Sequence, residues 1–311
     1  MRKLKKYDGE RVILMACSKC NVNCKHCYIG YKGNRTPEEL EQLCEYYNNR
    51  FKIVRIDGAE PLTDLGYLKS YKIVGQDWIM TNGLRIFKEP EVIDMLLENG
   101  ITNVYMSYHF GIQNDLNPIT AQMLDKVVDM LNSRGIRVVL MTTITNCNVN
   151  EVLEMCNRAY DMGAKGIEFN KIFMQGNAQE LNKENYLDLY KQDYDNFFNQ
   201  IHEARDKYNI DDLEVRRSGT FGYDTTSEIQ KFKCSAGYRK VCLTPDNNVY
   251  GCTCICKPGY EIGKVIDKEI YLYEDFENDR KWCLGDKMGD LGIEDIQNLK
   301  GSPSKKLVRE K

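Results

Sequence analysis

Three cysteines lie close together near the beginning of the sequence, at Cys20, Cys24 and Cys27. At this spacing three thiolates can bind three irons of one cubane, whereas iron–sulfur clusters are usually held by four cysteines. The open fourth iron indicates a cluster that does chemistry there rather than one that only transfers electrons. A structural zinc site is the alternative, because Cys17 supplies a fourth thiolate for tetrahedral coordination. Zinc sites usually join two separated ligand pairs, so the spacing favours the cluster.

The composition excludes several partners and suggests roles for the other cysteines. With 43 lysines and arginines against 46 acidic residues, the net charge of -3 gives no reason to expect a nucleic acid or an anionic membrane as partner. No apolar run approaches the roughly 18 residues that span a bilayer, and no signal peptide is recognisable, so we expect a cytoplasmic protein. The 13 cysteines of such a chain indicate metal ligands more than disulfides. Three of them stand in periodic segments and are expected to be small buried hydrophobes, namely Cys44, Cys147 and Cys156.

Short β-rich runs alternate with helical patterns from residue 11 to about residue 172, which is the order of βα units around a parallel sheet. The first helix has a clear start, with Thr36 as N-cap, Pro37 at its first position and Glu39 completing a capping box. The predicted fold class is α/β, an open and partial (β/α)6 barrel that resembles part of a TIM barrel, and a Rossmann sheet is the alternative packing. The six predicted strands are Arg11–Ala16, Lys52–Asp57, Asp77–Thr81, Val104–His109, Arg137–Thr145 and Ile167–Ile172.

The pattern changes beyond Gly219 to loops and short strands with many cysteines. A long polar helix from Lys183 to about Tyr208 precedes this change, and its aromatic stripe is expected to pack in the core. We therefore predict a core barrel over residues 8–215, a small cysteine-rich domain over residues 216–290 and a tail over residues 291–311.

Two further motifs stand where predicted strands end. Gly58-Ala59-Glu60-Pro61 follows the second strand, Thr81-Asn82-Gly83 ends the third, and the cysteine loop follows the first. Carboxyl ends of parallel strands share the edge where α/β proteins place their active sites. In this order the motifs resemble those of the radical SAM superfamily. The resemblance implies a [4Fe-4S] cluster on the three cysteines, with S-adenosylmethionine on the remaining iron, and a 5'-deoxyadenosyl radical that takes hydrogen from a substrate carbon.

The resemblance also implies cofactor contacts for individual residues. The second motif corresponds to the family's GGEP, whose backbone and glutamate hold the amino group of S-adenosylmethionine, although Ala59 replaces a glycine. Asn82 belongs to a loop on the ribose side, and His26 stands where the family commonly has an aromatic against the adenine. An exposed loop histidine is the alternative for His26. The cofactor-binding residues implied at these motifs are His26, Tyr28, Gly58, Ala59, Glu60, Pro61 and Asn82.

Polar side chains on the last three predicted strands point into the barrel if strand alternation holds. There they can contact cofactor or substrate, and we assign Ser107 and Thr143 to the cofactor; interior hydrogen bonds are the alternative. The segment 173–178 resembles the loop after the last strand in peptide- and sugar-modifying members of the superfamily. The polar residues in question are Ser107, His109, Thr143, Glu168 and Asn170.

A second group of cysteines begins at Cys234. Residues 234–252 resemble the opening of SPASM and twitch domains, in which two cysteines flank a hairpin with a PDG turn. Asn247 replaces the turn glycine and readily adopts the αL conformation. The resemblance implies one auxiliary [4Fe-4S] cluster, with Cys234, Cys252 and Cys283 as ligands and Cys254 or Cys256 as the fourth.

Two alternatives remain for this group. Cys-x-Cys pairs also suit a tetrahedral zinc–thiolate site. Cys242 is spare in either arrangement, and it is a candidate catalytic hydrogen-atom donor or else a buried strand cysteine.

The predicted function is radical modification of a substrate, reductively started by a partner such as flavodoxin or ferredoxin. We favour maturation of a ribosomal peptide, by cross-linking, oxidation or epimerisation. Dehydrogenation of an aminocyclitol, a sugar or another small natural product is the enzymatic alternative. A zinc-stabilised binding protein, with both cysteine groups structural, is the alternative from another class.

Overall fold

The computed structural model describes residues 2–173, 175–181, 191–218 and 234–277. All six predicted strands are present, and their bounds differ from the predicted ones by one or two residues. A short strand, β1 (Leu4–Lys6), precedes them. The six are β2 (Arg11–Met15), β3 (Ile53–Asp57), β4 (Trp78–Thr81), β5 (Asn103–Ser107), β6 (Arg137–Ile144) and β7 (Gly166–Lys171).

The strands form a parallel wall in sequence order. β2 pairs with β3, and β4, β5, β6 and β7 pair in turn, all in parallel. β8 (Glu214–Arg217) adds to β7 in the same direction. A Rossmann sheet reverses its strand order at a switch point, and this consecutive order has no reversal. The prediction of a partial α/β barrel is therefore confirmed.

Backbone pairing is interrupted between β3 and β4, and the side chain of Gln76 fills the gap. Its Oε1 accepts a hydrogen bond of 2.8 Å from the N–H of Ile56, and its Nε2 donates to the carbonyls of Ile56 and Trp78, each at 3.1 Å. Gln76 is only 1% exposed. One buried amide thus replaces the missing strand–strand hydrogen bonds and keeps the two strand ends side by side.

Helices follow the strands and cover the outside of the wall. The capping box of the first helix is confirmed, since Thr36 Oγ1 accepts from the N–H of Glu39 and the Glu39 carboxylate accepts from the N–H of Thr36. The described helices are α1 (Pro37–Asn48), α2 (Leu68–Ile73), α3 (Leu84–Lys88), α4 (Val92–Glu98), α5 (Gln113–Leu116), α6 (Ala121–Ser133), α7 (Val152–Asp161) and α8 (Lys191–Lys207).

The longer helices α1, α6, α7 and α8 bury an apolar face against the sheet. In α6 the buried residues are Leu124, Val127, Val128 and Leu131, which recur at helical spacing. α8 is the described part of the long helix predicted from residue 183, and residues 182–190 lie outside the described residues. Its Phe197 and Phe198 are buried in the core, as predicted for the aromatic stripe.

Four strands after residue 239 form an antiparallel meander. They are β9 (Lys240–Leu243), β10 (Asn248–Tyr250), β11 (Gly263–Ile266) and β12 (Glu269–Tyr273), and β1 closes the far edge beside β12. Asn247 adopts a φ of 63° in the turn between β9 and β10, as expected for a substitute of glycine. β9 also pairs in parallel with β2, so this region continues the barrel wall. The domain boundary near residue 215 stays a prediction, and the tail lies outside the described residues.

The burial of three cysteines and the length of the described helices can be compared with the predictions. Cys44 and Cys156 are completely buried, as predicted. The prediction for Cys147 is wrong, because this residue is exposed in the turn after β6. Among the described helices, none combines the length and the apolar character needed to cross a bilayer.

Candidate functional site

A cavity of about 310 Å³ lies at the carboxyl ends of the parallel strands. Residues from the cysteine loop, from the ends of β3 and β4, from the strands β5 to β7 and from the second cysteine group line it. Parallel α/β proteins place their active sites at this edge. The cavity is therefore the candidate active site.

The cysteine loop contributes three half-buried thiols to the cavity wall, those of Cys20, Cys24 and Cys27. Burial, and then the neighbouring cysteines, raise the pKa of the Cys24 thiol to about 12. Cys17, the fourth ligand of the zinc alternative, is 1% exposed, packs in the main hydrophobic core and does not line the cavity. The structure therefore sets Cys17 apart from the other three.

The segment after β3 is held tightly against the cysteine loop. The N–H of Ala59 donates to the carbonyl of Cys17 at 2.9 Å, and a Cβ on Gly58 would lie 3.1 Å from the Cys17 sulfur. Gly58 and Ala59 both line the cavity. Asp57, which sequence reasoning missed, lines it too, and burial raises the pKa of its carboxyl to about 6.

Glu60 is turned into the protein. Its carboxylate accepts hydrogen bonds from Thr81 Oγ1 (2.9 Å) and from the N–H groups of Leu62 (3.1 Å) and Asn82 (2.7 Å). Neither Glu60 nor Pro61 is part of the cavity lining. Glu60 thus links the end of β3 to the end of β4, and its direct contact with a cofactor stays a prediction.

Asn82 connects this network to the cavity. Its Nδ2 donates to Asn21 Oδ1 at 2.8 Å and lies 3.6 Å from the sulfur of Cys20, while its Oδ1 accepts from the N–H of Leu84. The contacts with Asn21 and Cys20 join the cysteine loop to the end of β4. Asn82 lines the cavity, as its predicted role requires.

The far wall of the cavity is polar, and strand alternation accounts for it. Register brings Thr143 opposite Asn170, and Glu168 opposite Met141, on neighbouring strands. Burial raises the pKa of Glu168. All five polar residues singled out on these strands line the cavity, namely Ser107, His109, Thr143, Glu168 and Asn170.

Two histidines meet at the cavity edge. The rings of His26 and His109 are perpendicular, with centroids 4.4 Å apart. Burial lowers the pKa of both, that of His26 to about 4, so both rings are neutral near pH 7. His109 Nδ1 accepts from the N–H of Thr143 at 3.1 Å, and its buried Nε2 has no hydrogen-bond partner in the part of the chain described.

The second cysteine group lies next to the first. Cys234, Cys242 and Cys256 are buried in an apolar cluster with Met15 and Tyr31, and Cys252 packs against it. Cys242 does not line the cavity, whereas Cys254 does. The role of Cys242 as a hydrogen-atom donor stays a prediction. Cys283 lies outside the described residues, and within those residues no three metal-binding side chains are grouped around the position of a single ion.

Tyr28 and a loop after β7 lie between the two cysteine groups. Tyr28 lines the cavity, and its ring contacts that of Phe173, with centroids 5.8 Å apart. Gln175 Nε2 donates to the carbonyl of Cys254 at 2.7 Å, and Asn177 Nδ2 donates to that of Cys24 at 3.0 Å. The loop therefore ties both cysteine groups together. Only its resemblance to a family loop could have revealed it from the sequence.

Residues 16–159 match the family model described as the radical SAM superfamily. This part of the chain is similar to a radical SAM domain. The match covers the cysteine loop, β3 to β6 and most of the cavity wall.

Relatives and solved structures extend the likeness beyond the radical SAM domain. The antilisterial bacteriocin subtilosin biosynthesis protein AlbA of Bacillus subtilis (strain 168) is 21% identical over 270 residues, which is 79% of this chain and 55% of AlbA. The chain thus spans about half the length of this curated relative. Streptococcus suis SuiB bound to S-adenosylmethionine superposes with a TM-score of 0.61 at 13% identity, over 96% of this chain and 68% of SuiB. anSMEcpe with bound AdoMet gives a TM-score of 0.63 at 16% identity, over 88% and 81%. SuiB and anSMEcpe therefore share the fold of this chain.

The residues in this part of the chain fit the cofactors that radical SAM proteins use, a [4Fe-4S] cluster and S-adenosylmethionine. Three thiols, those of Cys20, Cys24 and Cys27, face one cavity, which is the donor set such a cluster requires. The backbone at Gly58 and Ala59 and the amide of Asn82 border the same space. When bound, these cofactors would supply a radical that can take hydrogen from a substrate carbon.

Proposed function

We propose that the protein is a radical SAM enzyme that modifies a peptide, as a maturase of ribosomally made peptides. The observation that carries the proposal is one cavity bordered by both cysteine groups, with Cys20, Cys24 and Cys27 on one side and Cys254 on the other. A substrate in this cavity would lie between two metal centres. Cross-linking, oxidation and epimerisation are the reactions that such an arrangement suits.

The second centre belongs to the proposal. We infer that Cys234, Cys252, Cys283 and Cys254 or Cys256 hold an auxiliary [4Fe-4S] cluster. Support comes from the burial of Cys234 and Cys256 in one apolar cluster with Cys252 beside it. The apolar shell limits solvent access, which is one of the factors that set the potential of a cluster.

We infer that the polar wall contacts both the cofactor, to which Ser107 and Thr143 are assigned, and the substrate. Ser107, Thr143 and Asn170 make no side-chain hydrogen bonds with other described residues, and all three border the cavity. They can therefore take hydrogen bonds of a polar substrate such as a peptide backbone, hold the reacting carbon in place and exclude water. Reaction of such a radical with a fixed substrate carbon depends on this positioning.

The relatives support a peptide substrate over a small molecule. AlbA is named for the biosynthesis of a bacteriocin. SuiB has been solved bound to a precursor peptide, SuiA. A flavodoxin or ferredoxin as reductant and a cytoplasmic location complete the proposal.

Anaerobic reconstitution of the full-length chain tests the proposal. About eight irons and eight sulfides per chain are expected for two clusters, together with release of 5'-deoxyadenosine on reduction in the presence of S-adenosylmethionine. Cys24→Ala should abolish this release, whereas the matched variant Cys17→Ala, at a buried thiol outside the cavity, should keep it. About two zinc ions per chain and no 5'-deoxyadenosine would contradict the proposal.

Co-expression with short peptides encoded beside the gene tests the substrate class. A mass change in one such peptide that depends on Cys24 supports peptide maturation. A change in an aminocyclitol or a sugar with all peptides unmodified would contradict it.

A further inference from the structure

Lys240 brings a positive charge to the second cysteine group. It is the first residue of β9, where successive side chains alternate between the two faces of the strand. Val241 and Leu243 pack in the main core, whereas Cys242 packs in the cluster that contains Cys234 and Cys256. Lys240 shares the face of Cys242. Its Nζ lies 3.8 Å from the sulfur of Cys252, within hydrogen-bond distance.

No carboxylate forms an ion pair with this ammonium in the described ranges of the chain. Among the described residues, the side-chain hydrogen bond of Lys240 is instead the one to the sulfur of Cys252. The partly buried ammonium of Lys240 thus lies beside a cysteine sulfur, and the buried carboxyl of Asp57 also interacts with its charge without forming an ion pair.

A fixed cation beside a metal–thiolate centre has a definite electrostatic effect. Addition of one electron makes the centre more negative, and a nearby ammonium stabilises this reduced form more than the oxidised one. Water and salt screen the interaction only partly, because Lys240 and Cys252 are both partly buried. The potential at which the centre accepts an electron is raised in consequence.

We propose that Lys240 positions a positive charge beside the second cysteine group. Its ammonium stabilises the thiolates of this group and raises the reduction potential of the cluster held there. The inference rests on the proposed function, because it requires a redox-active centre at this group. It concerns the second centre alone.

A redox titration followed by electron paramagnetic resonance tests this inference on the full-length reconstituted enzyme. Wild type, Lys240→Met and Lys240→Arg are compared, and addition of S-adenosylmethionine identifies the signal of the first cluster. In Lys240→Met the ratio of reduced to oxidised second centre at a fixed potential should fall about tenfold, which is 59 mV for a one-electron couple. Lys240→Arg should stay near wild type, and the first cluster should not shift in either variant.

Three results would overturn the inference: an unchanged second centre in Lys240→Met, an equal shift of both centres, or a second group that holds zinc and has no redox signal. If Lys240→Met loses iron from the second group, the iron content of Lys240→Arg distinguishes a role of charge from a role of packing. Iron retained in the arginine variant supports the role of charge, whereas iron lost there as well shows that only packing matters. Release of 5'-deoxyadenosine by wild type tests the proposed function separately, so the two failures can be told apart.

Discussion

The backbone N–H of Asn82 donates a hydrogen bond of 2.7 Å to a carboxylate oxygen of Glu60, a residue with no exposed surface. Two more donors, Leu62 N–H and Thr81 Oγ1, reach the same carboxylate. The bond from Leu62 stays within the turn that follows β3, whereas the bonds from Thr81 and Asn82 connect this turn to the end of β4. Glu60 therefore positions two stretches of cavity wall at once, those at Ala59 and at Asn82.

Burial raises the pKa of Glu60 from 4.5 to about 7, and this has a consequence for stability. The folded protein binds a proton at Glu60 that the unfolded chain has released, so the free energy of unfolding should fall as the pH rises from about 4.5 to about 7. The full effect is about 3 kcal/mol. Urea unfolding of wild type and Glu60→Gln across this range measures it. The glutamine variant should lack this part of the slope, and identical slopes in both proteins would contradict the prediction.

Gly176 lies where the loop after β7 meets the cysteine loop. A Cβ there would approach the carbonyl oxygens of Cys27 and Ile29 to 2.7 Å, at a φ of +55°. Gly75 has a similar φ of +62° but open space around it. Both Gly→Ala variants should lose about 1–2 kcal/mol through backbone strain. Only Gly176→Ala should also displace Cys27 and reduce the iron bound by the first cysteine group.

Thermal unfolding and iron analysis of the two alanine variants separate these effects. Equal losses of stability with full iron in both would show that the loop after β7 does not hold the cysteine loop in place.

Local patterns were sufficient to predict much of this fold. The six strands follow from short β-rich runs, and the start of α1 follows from Thr36, Pro37 and Glu39, because a strand period and a capping box each depend on neighbouring residues. The three thiols at the cavity follow from their spacing. Burial of Cys44 follows from its periodic segment, whereas Cys147, beyond the end of β6, is exposed.

Contacts between distant residues could not be predicted in the same way. β5 ends at Ser107, two residues before the predicted end, because Phe110 adopts a φ of 49° and the chain turns at His109. Cys254 borders the cavity because Gln175, far away in the sequence, holds its carbonyl. Alternation along a single strand can place Lys240 beside Cys242, but the approach to Cys252 depends on how the hairpin closes.

Gln76 is the clearest case of a contact that could not be predicted, because nothing in the sequence around it indicates that its side chain joins two strands. Gln76→Leu keeps the size of the side chain but leaves the N–H of Ile56 and the carbonyls of Ile56 and Trp78 without this buried partner. Each lost partner costs about 1–3 kcal/mol, so we expect a loss of at least about 2 kcal/mol in urea unfolding and faster hydrogen exchange at Ile56. Gln122→Leu, the same change at an exposed position of α6, should shift stability by less than about 0.5 kcal/mol. Equal effects of the two substitutions would show that β3 and β4 stay together without the amide of Gln76.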